Sequence, residues 1–348
     1  MSNSSVTLEE SFRIYQQQAN FRSQHTLLAY RRAVELFFDF LDDRSAKILP
    51  IQHKTYVTAR QLSTQDFSAQ DQSVLLHFAQ WLAQEPHKPK RSDKRPYAFA
   101  TIELRVAGVH HWLSFIQSQG WLPEGFDLAV AYQQYRDNFL VERSNSHVVF
   151  VDDLSPLVRY YDHLEPPRHL LKDEARLARW ELVRLRNRAF LHCLADTGGR
   201  VSELLSLNVG DIPTGSVLRK TVTITVVGKS NHPYEIHIQS ALPTIRAYIF
   251  QRKTPKNDEP LFISHDQRYE GARMSRVVAW RIVRRAAKAL GMGEVSPQMF
   301  RHWRALQLIA SGATPQEVRD ILGHRSLETV RSLYADAWSQ QNTQSNIE

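Results

Sequence analysis

The chain has 348 residues, 42% of them hydrophobic, with 44 Lys+Arg against 36 Asp+Glu and a formal charge of +8. Length favours two domains with ordinary cores, and the basic balance suits a polyanion partner, although a charge of this size also occurs in soluble proteins of other roles. The lone cysteine, Cys193, rules out an intrachain disulfide, and no apolar run approaches the roughly 20 residues of a membrane span.

Met1-Ser2-Asn3-Ser4-Ser5 lacks the basic-then-apolar pattern of a signal peptide. Cys193 lies in the apolar run Phe190-Leu191-His192-Cys193-Leu194 and reads as a buried structural thiol. Both features point to a reducing, cytoplasmic setting.

The first ~140 residues read as helical from their apolar periodicity. Tyr30, Val34, Phe37, Phe38 and Leu41 fall on one helical face, with Arg31, Arg32, Glu35 and Asp39 on the other. Val74, Leu75, Phe78 and Leu82 repeat the pattern, as do Ile102, Val106, Val109, Leu113 and Ile116. Between the last two, Pro86–Pro96 carries Lys88, Lys90, Arg91, Lys94 and Arg95 among three prolines, which predicts an exposed basic loop. Such a loop is either merely solvated or in contact with phosphates.

A boundary is expected between Glu142 and Asp153, across the polar Arg143-Ser144-Asn145-Ser146. Helices are then predicted over Leu154–Tyr161 and Ala175–Ala195. Val222, Ile224 and Val226 alternate with threonines, and Tyr234, Ile236 and Ile238 alternate with Glu235 and His237. These are two strands, joined by the turn chemistry of Gly228-Lys229-Ser230-Asn231-His232-Pro233. A helix follows from Ser275 to Leu290, and Thr314-Pro315-Gln316-Glu317 is a capping box opening a helix that Gly323 closes.

The chemistry lies in five residues: Arg200, Lys229, Arg301, His324 and Tyr334. Arg200 follows the turn Thr197-Gly198-Gly199, and Lys229 sits in the hairpin turn. Arg301 lies in Gln298-Met299-Phe300-Arg301-His302, His324 ends Ile321-Leu322-Gly323-His324, and Tyr334 follows ten residues later. Attack on a DNA phosphate spreads negative charge over nonbridging oxygens, so catalysis is mostly positioning and charge stabilisation. Arginine suits that work because its planar fork grips two oxygens. A phenol with its ordinary pKa near 10 is ionised in roughly one molecule in a thousand at neutral pH, and nearby cations favour its ionisation. A lysine on a hairpin turn can protonate the leaving 5′ oxygen. A lone arginine at a helix start or a lone lysine in a hairpin turn has a bland reading as a solvated surface residue; the set carries the argument.

No metal site emerges, since the adjacent His110 and His111 and the pair His163 and His169 offer no full ligand set. Gly228-Lys229-Ser230 is not a nucleotide loop, because Thr223 stands where that motif needs its first glycine. Trp303 and Trp338 read as core or interface residues.

Thr197-Gly198-Gly199-Arg200-Val201-Ser202-Glu203-Leu204, Val227-Gly228-Lys229, Arg301-His302 and Leu322-Gly323-His324 occur in the order found in the tyrosine site-specific recombinases, the phage-integrase family, which the chain resembles from about Ser146 to Trp338. The 23 residues from Arg301 to His324 match the usual family spacing. The resemblance implies an all-α N-terminal core-binding domain over residues 1–142. A mixed α/β, mainly helical catalytic domain with a small antiparallel sheet would follow over 143–348, the two closing around duplex DNA as a clamp. It also implies roles. Tyr334 would be the nucleophile that forms a 3′-phosphotyrosyl bond, Arg200 and Arg301 would bind the phosphate, Lys229 would be general acid, His324 would assist, and Glu203 would support the first arginine. No metal or nucleotide cofactor would be needed. Four protomers on two double-stranded DNA sites would exchange strands through a Holliday junction, with accessory DNA-binding proteins as further partners, at the cytoplasmic nucleoid and away from membranes.

Two departures stand out. Gln298 occupies the place of the family's usual histidine, and glutamine can donate a hydrogen bond but cannot shuttle a proton. His302 is not a simple substitute, because adjacent helical residues point about 100° apart. The ten residues from His324 to Tyr334 exceed the usual nine, so one residue must be absorbed in a loop or at a helix end. Two other readings stay open: a catalytically weak accessory DNA-binding protein of the same fold, and a type IB topoisomerase-like enzyme.

Overall fold

The computed structural model describes residues 6–19, 21, 24–43, 58–67, 69–84, 97–140, 153–213, 220–228, 232–253 and 255–339. The basic stretch with Lys88, Lys90, Arg91, Lys94 and Arg95, the polar stretch 143–146, and Lys229 lie outside the described residues. Internal contacts divide the chain into two compact units, Met1–His147 and Val148–Glu348.

The first unit is built from α1 (Leu8–Gln18), α2 (Gln24–Asp42), α3 (Val74–Gln84), α4 (Phe99–Ser118) and α5 (Leu128–Tyr135). Thr7 caps α1 by accepting from the Glu10 amide, and Asp127 caps α5 by accepting from Ala129. Ala33, Leu36 and Phe40 of α2 are buried along with Val34, Phe37, Phe38 and Leu41 of the predicted stripe, while Tyr30 is half-buried. The wider stripe arises because α2 packs against α1, α3 and α4 together. Gly108 lets α2 and α4 meet closely, since a Cβ there would fall 2.7 Å from the Ala33 Cβ. Aromatic rings fill this core: Phe37 meets Phe78 edge-on at 5.2 Å between centroids, and Trp112 is fully buried against Phe38. His111 hydrogen-bonds the Tyr15 hydroxyl at 2.8 Å and His110 lies on the Tyr132 ring, so both histidines are structural.

The second unit holds α6 (Ser155–Arg159), α7 (Glu174–Thr197), α8 (Val201–Ser206), β1 (Val222–Val227), β2 (Pro233–Ile238), α9 (Leu242–Gln251), α10 (Arg276–Ala289), α11 (Pro297–Ala310), α12 (Pro315–Leu322) and α13 (Leu327–Leu333). Among the described residues the fold is mainly helical with one antiparallel hairpin, in which Val222 faces Ile238 and Val227 faces Pro233. The strand alternation buries Val222, Val226, Ile236 and Ile238. The hairpin turn closes through the Gly228 amide, which donates to the His232 carbonyl at 2.9 Å.

Helix α7 runs through the main core, where Phe190, Cys193 and Leu194 pack with Tyr248, Phe262, Val283 and Phe300. Cys193 is fully buried, and that burial, with Asp196 nearby, pushes its thiol pKa up, so it is inert as a nucleophile. A smaller core of Ala305, Ile309, Val318, Leu322, Val330 and Tyr334 ties α11, α12 and α13 together. Trp303 packs against the first core and Trp338 against the second. Among the described residues no helix is long and apolar enough to cross a membrane.

Candidate active site

Two chain turns and helix α11 bring the arginines and His324 together. The first ends α7. Gly198 adopts φ +60° and its amide donates to the Leu194 carbonyl, which stops the helix and lets α8 start three residues later. The Thr197 hydroxyl accepts from the Gly199 amide at 3.0 Å and fixes the turn. Arg200 follows, its backbone amide donating to the Glu203 carboxylate at 2.7 Å and its guanidinium donating to the same carboxylate at 2.8 Å. Glu203 is only 3% exposed, and its charge is held by Arg200 and by the Tyr234 hydroxyl, which donates at 2.6 Å. The Arg200 side chain stays 27% exposed, so its outer face is open to a ligand.

The second turn ends α12. The sequence-predicted capping box is present, with the Thr314 amide donating to the Glu317 carboxylate at 2.7 Å. Gly323 adopts φ +61° and closes the helix, and the His324 amide donates to the Arg319 carbonyl. Arg200 donates to the Gly323 carbonyl at 3.4 Å.

Arg301 lies one turn into α11 and is 2% exposed. It donates to the Gly198 carbonyl at 3.2 Å and to the Leu322 carbonyl, so one guanidinium joins the end of α7 to the end of α12. Burial, then Arg200, pulls its pKa below the ordinary guanidinium range, while Tyr234 and Glu203 oppose that shift. Two mutually repelling cations at one place form a pocket suited to an anion.

His324 stands beside them. Burial first, then Arg301, Arg200 and His302, lower its pKa to about 4, so the ring is neutral at neutral pH. Among the described residues its buried Nε2 has no hydrogen-bond partner. An unpaired buried polar atom is a standing cost of about 1–3 kcal/mol, which a ligand can relieve.

Tyr334 is the residue at which α13 breaks, with φ −124° and ψ 20°. Its ring is 2% exposed and packs at right angles to Trp338. Its hydroxyl is 2.9 Å from Nδ1 of His302. Burial pushes the phenol pKa up to about 12, and Arg301 pulls the other way. His302 is itself lowered below the ordinary imidazole value by burial and then by Arg301.

Of the residues singled out from sequence, Arg200, Arg301, His324 and Tyr334 therefore come together. Gln298 sits in the first turn of α11, one turn before Arg301, with an exposed side chain. Lys229 lies outside the described residues, as do the lysines and arginines of the 86–96 stretch. Sequence reasoning passed over two residues of the site. Tyr234 reads only as an inward strand position, yet its hydroxyl holds Glu203. His302 reads from sequence only as no simple substitute for the family's usual histidine, about 100° from Arg301 around the helix; its direction leads to the Tyr334 hydroxyl.

The chain resembles known proteins in sequence and in fold. Residues 173–341 match the profile of the phage integrase family. The chain is 27% identical over 314 residues to the tyrosine recombinase XerC of Roseiflexus sp. (strain RS-1), covering 88% of this chain and 82% of the relative. It is 33% identical over 161 residues to the tyrosine recombinase XerD of Neisseria meningitidis serogroup B, covering 45% of this chain and 53% of the relative. In fold it is similar to the XerH site-specific recombinase bound to a palindromic difH substrate, with a TM-score of 0.64 at 17% identity over all of this chain and 91% of that one. It is also similar to the Tn1549 transposon integrase in complex with a circular intermediate DNA, with a TM-score of 0.60 at 13% identity over 96% of this chain and 97% of that one. By that profile match, residues 173–341 belong to the phage integrase family, and the chain as a whole is similar to tyrosine recombinases.

Proposed function

We propose that this chain is a site-specific DNA recombinase that cleaves and rejoins duplex DNA through a 3′-phosphotyrosyl bond to Tyr334. The observation that carries this reading is the convergence of Arg200, Arg301 and a neutral His324 on one spot, with the Tyr334 phenol close enough for Arg301 to oppose the rise that burial causes in its pKa. A phosphodiester in that spot would receive the Arg200 and Arg301 guanidinium forks and the unpartnered His324 Nε2. Attack by the phenolic oxygen in line with the 5′ oxygen then links the 3′ phosphate to the protein and frees a 5′ hydroxyl. Lys229 supplies the proton to that leaving oxygen. Gln298 donates a hydrogen bond to the phosphate without moving a proton.

The bond energy is kept in the covalent link, so a 5′ hydroxyl from a partner strand can reverse the reaction without metal or nucleotide. Strand exchange runs through a Holliday junction in a tetramer on two sites. Residues 1–142 act as the core-binding domain, residues 143–348 as the catalytic domain, and Lys88, Lys90, Arg91, Lys94 and Arg95 contact phosphates. The partner is a double-stranded recombination site at the cytoplasmic nucleoid, which the +8 charge favours. The DNA complexes of XerH and of the Tn1549 integrase support a DNA partner.

One observation favours a second reading, a catalytically weak DNA-binding protein: Gln298 removes a proton-carrying group from the family's usual set. A plasmid with one or two copies of a site selected from random DNA separates the readings. Recombinant circles or inversions from the two-site plasmid alone are expected. Relaxation of the one-site plasmid without recombinants points to a topoisomerase, and binding without strand breakage to the accessory protein.

A further inference from the structure

We infer that His302 is a catalytic residue of this site: its Nδ1 takes the phenolic proton of Tyr334 as the phenolic oxygen attacks phosphorus. The inference rests on the proposed function, because it needs Tyr334 to be the nucleophile. It goes beyond it by assigning the base that makes a poor nucleophile competent.

The geometry comes first. Nδ1 of His302 lies 2.9 Å from the Tyr334 hydroxyl, within the reach required of a general base. Tyr334 is 2% exposed among Ala305, Ile309, Val318, Leu322 and Val330, so solvent is poorly placed to take its proton. Gln298, on the same helix, cannot accept one. His302 is held on rigid α11 next to Arg301, so a base here is fixed relative to the phosphate-binding arginine.

The electrostatics set when the transfer can occur. Among the described groups that face His302 are Arg301 on its own helix, His324 after α12 and Tyr334 after α13. Arg301 disfavours a proton on His302, and the ring is neutral at neutral pH. Nδ1 therefore offers its lone pair to the phenol, with the ring proton on Nε2. A phenol near pKa 12 does not give its proton to such a base unaided. A bound phosphate changes the balance, because its charge offsets Arg301 and Arg200 and tolerates an imidazolium. The base works only when DNA occupies the pocket, which keeps the free enzyme's phenol inert.

The step balances as follows. The phenolic O–H bond breaks and its proton passes to Nδ1, while the phenolic oxygen–phosphorus bond forms. The bond from phosphorus to the 5′ oxygen breaks, and that oxygen leaves with a proton from the site's general acid. On rejoining, the imidazolium returns its proton to the departing phenolate.

Single-turnover cleavage of a nicked suicide duplex, from pH 6 to 9, tests the assignment in the full chain with His302→Ala, His302→Gln and Tyr334→Phe. The wild-type rate should be nearly flat above neutral pH. Both His302 variants should bind DNA normally but cleave about 10²-fold more slowly at pH 7, the lower end of the range for a lost general base. Their rates should climb steeply with pH as hydroxide takes over, and added imidazole should partly rescue His302→Ala. A His302→Gln variant that cleaves at the wild-type rate with a flat profile would reduce His302 to a tether and overturn the inference, as would faster cleavage by both variants. Covalent product from Tyr334→Phe would overturn the proposed function itself. With Tyr334→Phe dead and both His302 variants fast, only the base assignment fails.

Discussion

Gly323 lies against the face of Tyr234, so close that a Cβ on residue 323 would fall 2.6 Å from the ring. The same glycine has φ +61°. Its carbonyl accepts from Arg200, and the preceding Leu322 carbonyl accepts from Arg301. Tyr234 in turn donates to Glu203, which holds Arg200. One small residue therefore sets both the helix end and the spacing of the two cations.

Gly323→Ala should accordingly damage fold and function together. The left-handed backbone alone costs a non-glycine residue about 1–2 kcal/mol, and displacing the Tyr234 ring adds to that. A lower urea midpoint and a cleavage rate reduced beyond what unfolding accounts for are expected. Unchanged values for both would mean that Tyr234 moves aside freely.

The two arginines should separate in their effects. Arg200→Ala and Arg301→Ala should each slow strand cleavage by about 10²–10³-fold, the usual loss of a charge-stabilising donor. Arg301→Ala should also lower the melting temperature more, because it is buried and leaves the Gly198 and Leu322 carbonyls without their donor. Rates and melting curves on the same preparations decide the matter; near wild-type cleavage by both variants at saturating DNA would remove the phosphate from this pocket.

His324 should report the phosphate directly. Its pKa is lowered to about 4 by burial and by Arg301, Arg200 and His302. A phosphate on the two guanidinium groups offsets the cationic part of that shift and offers Nε2 a partner. The ring should therefore titrate at higher pH in a complex of Tyr334→Phe with duplex DNA than in the free protein. Imidazole NMR shifts measure it, and an unchanged titration in the bound state would place the phosphate elsewhere.

Acid should weaken the second unit through a different histidine. His265 is 3% exposed, hydrogen-bonds the Tyr248 hydroxyl at 3.0 Å, and is lowered to about 4 by burial and then by Arg186, Arg252 and Arg179. Its folded pKa lies below its unfolded value of 6.5, so the unfolded chain binds the proton more readily. The stability it contributes is present above pH 6.5 and is lost as pH falls toward 4. At pH 5 the loss is on the order of 2 kcal/mol, from 1.36 kcal/mol per pKa unit. His265→Gln should flatten the pH dependence of the urea midpoint in that window; an unchanged slope would mean that the ring is already protonated in the fold.

Local chemistry made some elements legible from sequence. The α12 capping box and its closing glycine are side-chain-to-backbone devices within a few residues, and the hairpin follows from strict alternation. Long-range placement was less legible. Arg301 is a permanent cation that sequence patterns assign to a surface, yet it lies in the core because carbonyls from two distant helix ends receive it. Phe300, Arg301, Ala305 and Ile309 are all buried on α11, so a charge interrupts that helix's apolar periodicity. The roughly 100° between neighbouring helical residues correctly separates His302 from Arg301, but it gives no hint of Tyr334, which meets His302 only through the packing of α13.

Identifying the residue that carries DNA tests the central claim most directly. A nicked suicide duplex bearing the selected site should trap wild-type protein covalently, and protease digestion followed by mass spectrometry should find a nucleotide 3′-phosphate on Tyr334, in the peptide Ser332-Leu333-Tyr334-Ala335-Asp336. Tyr334→Phe should bind the duplex and give no adduct. A nucleotide on any other residue, or an adduct of undiminished yield from Tyr334→Phe, would contradict the account.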